Sequence, residues 1–267
     1  MRLAWAFFSR DARIALSYRA AFFMQFVGNA ILVGLMYYVG KALGSRPLPA
    51  LAHYGGSFLA YALIGIALTD CVLVSLMSFA SQIREAQTTG TLEATLMSPA
   101  SLTAILIYSS LWNYFLSAVR FLLYLALGAL VFGVNLGNGN LPAAVVVFFL
   151  TVLCFMGLGI IWAGIVLMIK RGEGIISIVG YLVMFATGVF FPVALLPHWV
   201  QVFGSFIPLT YALDGMRFAL LQGATLRDLS SILIKLSVFA VVLLGGAILG
   251  FNAAVSAARR SGSLTQY

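Results

Sequence analysis

Charge is what this sequence most lacks. Only 8% of its 267 residues are Asp, Glu, Lys or Arg, where a soluble domain carries about 25%. Too few charges remain to cover a soluble globule of this size, so lipid must be the solvent for much of its surface. Histidine is almost missing: His53 and His198 are the pair, and both are expected outside the membrane as surface residues rather than metal ligands. The two cysteines, Cys71 and Cys154, lie inside apolar runs, which reads as small buried hydrophobes and argues against a disulfide or metal site. There is no GxxxxGK[ST] phosphate loop and no hydrophilic part large enough to bind a nucleotide. Long linkers, low-complexity tracts and any cluster of catalytic side chains at one membrane depth are missing as well. The net charge of +8 comes from fifteen Lys and Arg scattered between apolar runs, without the basic face that nucleic-acid binding requires.

What is present is hydrophobic sequence: 63% of residues and a mean hydropathy of +1.07. A membrane span needs about 20 predominantly apolar residues. Six runs qualify, at about Ala20–Leu43, Gly56–Ala80, Leu102–Phe132, Pro142–Ile169, Gly174–Phe191 and Leu229–Ala257. The segment 192–223 is nearly as apolar, but Pro192, Pro197 and Pro208 break it, and Asp214 and Arg217 lie near its end. Proline removes a backbone donor and kinks a helix, and irregular backbone is not tolerated against lipid. Two short helices that dip into the outer leaflet or lie against the bundle are expected there. The expected fold is a single all-α integral membrane domain over 1–267, with six transmembrane helices.

An even span count puts both termini on one side. With that side cytoplasmic, inner segments hold Arg2, Arg10, Arg13, Arg19, Arg84, Lys170, Arg171, Arg259 and Arg260, against Lys41, Arg46, Arg217 and Arg227 outside. The excess places both termini in the cytoplasm by the positive-inside rule. Residues 1–19 mix Trp5, Phe7, Phe8 and Ile14 with arginines, the composition of an interfacial helix whose aromatics enter the bilayer while its arginines face phosphates. No cleavable signal is expected, because the apolar run that follows is long enough to stay in the membrane.

Charges at span centres are costly and face the bundle interior or a cavity. Asp70 in the second span and Arg120 in the third are the clearest cases. Measured from Arg84 and Pro99 they stand about 21 Å and about 31 Å along their helices, so tilt or a cytoplasmic extension is needed to level them. Asn113, Ser117, Arg120 and Tyr124 fall on one helical face. That face is expected to point inward with Arg120 pairing Asp70, either fixing span packing or lining a substrate path. Lys235 is expected at the outer interface, and Gly246–Gly250 forms a GxxxG that permits close helix approach.

The longest expected cytoplasmic loop between spans covers 83–99. Thr89 or Thr91 is placed to cap a short helix that Pro99 limits from behind, with Leu92, Leu96 and Met97 on one face and Arg84, Glu85 and Glu93 nearby. An apolar face held outside the membrane needs a partner surface or the bilayer to bury against. The stretch REAQTTGTLEATLMSP, 84–99, resembles the "E…GTLE.LL.SP" signature of ABC-2-type exporter permeases. The stretch GVFFPVALLPHWVQVFGSFIPLTYALDGMRFALLQG, 188–223, resembles that family's segment between its fifth and sixth spans, carrying Pro192, Pro197, Trp199, Pro208, Tyr211, Asp214 and Arg217. Both stand in the family's order, and the resemblance covers essentially the whole chain.

The resemblance implies that 83–99, with Arg84, Glu85, Thr89, Gly90, Thr91, Leu92, Glu93, Leu96, Met97 and Pro99, holds a coupling helix that docks on a cytoplasmic ABC ATPase. It implies that 1–19 is the interfacial helix beside it and that 192–223 is a re-entrant pair capping the outer end. It further implies a dimer with a second copy or a similar permease, and two ATPase subunits that use ATP and Mg, this chain binding no cofactor itself. The implied location is the cell membrane, and the implied cargo is a drug-like, antibiotic or lipidic amphiphile. The alternatives are an ABC-2 exporter of polysaccharide or lipid-linked glycan and an ion-gradient secondary transporter. The last would normally show inverted repeats and interrupted midplane spans, neither of which the sequence carries.

Overall fold

In a computed structural model of the protein, the residues described are 2–17, 19–42, 49–55, 57–90, 102–168, 180 and 182–260. Their elements in chain order are α1 (Arg2–Ser17), α2 (Arg19–Ala42), a 3-10 turn (Pro49–Tyr54), α3 (Phe58–Thr88), α4 (Leu102–Leu130), α5 (Leu141–Met168), a 3-10 turn (Val193–Leu195), α6 (His198–Ser205), α7 (Pro208–Gln222) and α8 (Ser230–Arg260). All regular structure among the described residues is helical. Four helices carry stretches long and apolar enough to cross a membrane: Phe58–Ala86, Ile105–Leu130, Leu141–Val166 and Ser230–Phe251. In α2 the described apolar stretch is shorter, Phe26–Ala42. The expected fifth span is described only at 180 and from 182, with 182–186 helical.

Helix α5 is the centre of the bundle, packed between α3 and α8 and crossed at its outer end by α7. Lipid tails are as apolar as leucine, so helices in a membrane associate through close van der Waals packing rather than a hydrophobic force. Gly157 and Gly159 supply the closeness. A Cβ at Gly157 would stand 2.7 Å from the Leu243 carbonyl carbon on α8, and one at Gly159 would stand 2.4 Å from the Ser75 carbonyl oxygen on α3. Two residues apart on a helix is about 200° of rotation, so one Gly-Leu-Gly step brings two neighbours in on opposite sides. By contrast Gly246 and Gly250, the GxxxG pair of α8, have open space where a Cβ would go.

Helix α3 outruns its expected span. The loop was expected to open at Ile83, yet the helix continues to Thr88. Thr89 donates from both its backbone N and its Oγ1 to the Glu85 carbonyl, at 2.9 and 2.7 Å. Gly90 follows with φ of 68°, the left-handed conformation that glycine adopts without strain at a helix C-terminus. Thr89 thus bonds back onto the last turn of α3. Arg84 and Glu85 ride on the last turns of α3 instead of in a loop. Thr91, Leu92, Glu93, Leu96, Met97 and Pro99 lie outside the described residues.

Helix α1 lies along α4 through an aromatic cluster. The Phe8 ring meets Trp112 edge-on at 5.2 Å and Phe115 at 5.5 Å, while Phe7 stacks on Tyr108 at 6.5 Å. Trp5, 70% exposed, stacks on the Phe8 ring at 5.9 Å, and the exposed Arg10 lies over the Phe7 ring at 4.9 Å, the mixture of aromatics and arginines that an interfacial helix carries. Aromatic pairs add about 0.5–1.5 kcal/mol each beyond their buried area. Phe8→Ala is expected to release α1 while leaving the bundle folded. Hydrogen exchange confined to 2–17 should rise severalfold, and no change in exchange would refute the docking.

Candidate functional site

A polar seam joins α3 to α4. Gln82 Nε2 donates to Ser110 Oγ at 2.9 Å, Asn113 Nδ2 to Ser78 Oγ at 3.1 Å, and Arg120 Nε to Asp70 Oδ2 at 2.8 Å. Each step back along α3 is matched by a step forward along α4, as antiparallel helices require. Asp70 stands eighteen residues before the end of α3, and Arg120 eighteen after the start of α4. The extension of α3 to Thr88 is what levels them, one of the two routes left open by the sequence. Ser117 and Tyr124 are buried on the same face of α4, with Ser117 against Cys71 and Tyr124 within the field of the ion pair.

The ion pair sits near the middle of the apolar stretch Ile105–Leu130 of α4. Arg120 stands eight residues beyond Trp112, where α1 crosses α4, and ten before Leu130. Those are about 12 Å and about 15 Å of helix, together close to the thickness of a bilayer core of about 30 Å. The side chains are 12% exposed for Arg120 and 27% for Asp70, so the pair is set in the packed seam with one edge uncovered. A guanidinium and a carboxylate held at hydrogen-bond distance compensate each other's lost hydration.

A second constellation lies at the other end of α3, around its first turns. Pro208 begins α7 and Gly223, left-handed at φ of 68°, ends it, a proline-start and glycine-stop pair. Its buried stripe of Leu209, Leu213, Met216 and Leu220 includes Arg217, which is 1% exposed. The sequence counts Arg217 among the basic residues of the outside segments; within its segment the structure buries the side chain. Arg217 Nη2 donates to the carbonyls of Gly188 at 2.9 Å, Val189 at 3.0 Å and Tyr61 at 3.3 Å. The guanidinium carbon lies 3.4 Å from the Tyr61 ring centroid, a cation–π contact in a dry site. Tyr61 Oη donates to the Gly188 carbonyl at 2.8 Å, and Gly188 itself has φ of 79°, which turns that carbonyl inward.

Beside it, Tyr54 Oη donates to Asp214 Oδ1 at 2.8 Å. Burial, then the charge of Asp214, pushes the Tyr54 hydroxyl far above its usual range, so it remains a donor. Burial raises the Asp214 carboxyl also, against the pull of the Tyr54 hydrogen bond and the Arg217 charge. The remaining outer residues tie the helices to each other. Pro192 is buried in the turn after 182–186, and Pro197 precedes α6. Tyr211 Oη donates to the Ser205 carbonyl at 3.0 Å and Thr210 Oγ1 to that of Gly204 at 2.7 Å. Trp199, 74% exposed, shares the outside of α6 with exposed Val202 and Phe203, the amphipathic dressing of a bilayer interface. Lys235 Nζ lies over the Tyr211 ring at 4.8 Å, near the N-terminal end of α8.

Sequence reasoning named Asp70, Asn113, Arg120 and Arg217 but missed their partners Ser78, Tyr61 and Gly188, along with the Gln82–Ser110 pair. The first of these had a signal: Asp70, Ser78 and Gln82 stand at i, i+8 and i+12, one face of α3. Arg217 had one too, four residues after Leu213 and three before Leu220, on the apolar stripe of its helix. The carbonyls it reaches had none, because every residue carries one.

No curated protein matches the sequence. The profile of the ABC-2 family transporter proteins matches residues 45–249, which spans α3 through most of α8 and takes in both the seam and the outer constellation. Members are membrane subunits of transporters, generally without an ATPase site of their own and working with ATPase partners. With its membrane-spanning helices and a family match over more than half its length, this chain belongs to the ABC-2 family of transporter proteins.

Proposed function

We propose that the chain is the permease subunit of an ATP-driven ABC-2-type exporter, carrying a drug-like, antibiotic or lipidic amphiphile across the cell membrane. The family match over residues 45–249 carries this reading. In it, two permeases, identical or similar, form the pathway, and two cytoplasmic ABC ATPases dock on the segment 83–99 with both permease termini on their side. Leu92, Leu96 and Met97 bury against the ATPase, and Arg84, Glu85 and Glu93 make the charged rim. ATP and Mg are bound and turned over by the partner, and this chain contributes motion rather than catalysis. The way α3 extends past its apolar stretch to Thr88 supports the arrangement, because a rigid helix leads straight into the proposed docking segment.

The test is co-expression of the chain with a candidate ABC ATPase, purification through a tag on this chain, and ATP-hydrolysis assays with panels of amphiphiles and lipids. The ATPase should co-purify, and its hydrolysis should rise severalfold with a cargo amphiphile. Leu92→Asp with Leu96→Asp should abolish retention while leaving the elution volume of the permease unchanged. An ATPase that fails to bind, or whose hydrolysis is indifferent to the permease, would overturn the reading. Flux driven by an ion gradient without ATP would instead establish the secondary transporter.

A further inference from the structure

The outer constellation and the proposed docking segment lie at opposite ends of one helix. Tyr61 is in the first turn of α3 and Thr88 at its last residue, so about 40 Å of helix separates them at 1.5 Å per residue. At the outer end a single buried cation holds three pieces of chain together. Arg217 belongs to α7, Tyr61 to α3, and Gly188 and Val189 to the turn that follows 182–186. The approach is tight on every side: a Cβ at Gly65 of α3 would stand 2.3 Å from the Val189 carbonyl oxygen and 3.0 Å from Arg217 Nη2. Helix α6 is fastened to the same group, since a Cβ at Gly204 would stand 2.6 Å from the Ala186 carbonyl oxygen and Thr210 of α7 bonds the Gly204 carbonyl.

Packing alone would hold these elements without a charge. A buried guanidinium is costly to desolvate, and removing it takes a donor from the Val189 carbonyl and leaves that of Gly188 with the Tyr61 hydroxyl. The fivefold donor fork of arginine suits it to join carbonyls from different elements at one point, which an apolar side chain cannot do. Its carbonyl partners on the 187–189 turn lie just past a helical segment, where the backbone presents its negative end.

We propose that Arg217 is a positioning residue that pins the α6–α7 cap to the outer end of α3, making α3 a lever that carries displacement at its inner end to the cap. The proposal rests on the exporter reading, because that reading supplies the push at residues 83–99. Arg217 touches no cargo in it; its work is to keep the cap in step with α3.

The experiment uses the permease with its ATPase in lipid nanodiscs, spin-labelled in pairs and measured nucleotide-free and trapped with ATP and vanadate. One pair, Thr88 and Ile165, reports the inner end of α3 against α5; the other, Val202 and Leu141, reports the cap against the same helix. These positions are exposed, and native Cys71 and Cys154 are buried and stay unlabelled. Trapping should shift both distances in the unsubstituted pin. With Arg217→Gln the inner shift should persist and the outer shift be lost, and Arg217→Lys, which keeps a cation near the carbonyls, should restore it. Gly65→Ala, which wedges the Val189 carbonyl while keeping the charge, should also lose the outer shift and stands in should Arg217→Gln fail to fold. An outer shift that persists in Arg217→Gln or Gly65→Ala overturns the pin and leaves the exporter reading standing. An inner shift without an outer one in the parent overturns the lever. No shift at either pair overturns the exporter reading, and the lever with it.

Discussion

Asp70→Asn should destabilise the protein by about 3 kcal/mol, the cost of removing the anionic partner from a part-buried ion pair. Arg120 is 12% exposed in the seam, and the substitution removes the carboxylate to which its Nε donates at 2.8 Å. Arg120→Gln should cost less. A carboxyl left alone in an apolar setting has a neutral form available through proton uptake, which a guanidinium lacks. The charge reversal Asp70→Arg with Arg120→Asp should recover most of the loss. Thermal unfolding in detergent, read by size-exclusion chromatography after heating, gives the order: reversal near the parent, then Arg120→Gln, then Asp70→Asn. A reversal that loses as much as the two single variants summed would show that the two charges do not depend on each other. A reversal that folds at parental stability but fails in transport would move the pair from packing to the pathway.

The second large effect is expected at Gly159. Its missing side chain lets the α3 backbone approach to a point where a Cβ would stand 2.4 Å from the Ser75 carbonyl oxygen. That obstacle is backbone, so a larger residue forces the helices apart rather than turning a rotamer. Gly159→Ala should cost about 1–3 kcal/mol, the range for overpacking a close-packed interior, and Gly159→Leu should prevent accumulation of the folded protein. Gly157→Ala should behave like Gly159→Ala, since its neighbour is the Leu243 backbone of α8 at 2.7 Å. Gly246→Ala is the control: open space surrounds the site, and its thermal midpoint should equal or exceed the parent's, because alanine favours the helix over glycine. A Gly159→Ala midpoint within error of the parent would refute the account of why α5 is central.

Both predictions show where sequence reading stopped. Asp70 and Arg120 were legible as charges inside apolar runs, and so was the inward face that carries Asn113, Ser117 and Tyr124. Whether they stood at one depth was not, because depth depends on where two helices end, and the end of α3 was placed eight residues short. Gly157 and Gly159 were two glycines among 26, with nothing local to separate them from Gly246 and Gly250. The GxxxG drew notice and proved open, while Gly-Leu-Gly carried the packing. Arg217 shows the same division. It was legible as a charge in the proline-broken segment, and its burial on the stripe of α7 was decided by packing.

The sequence by itself determined the solvent, the helical class, the approximate apolar runs and the family. Each of these is written in composition or in short-range order, because lipid selects hydrophobic length and forbids unsatisfied backbone wherever it occurs. Tertiary structure alone decided which polar residues meet, at what depth the ion pair lies, and that one buried cation joins α7, α3 and the 187–189 turn. Those depend on helix register, on close approach at particular glycines and on backbone carbonyls that every residue shares. None of them is a property of a single stretch of chain, so they emerge only when the helices have packed.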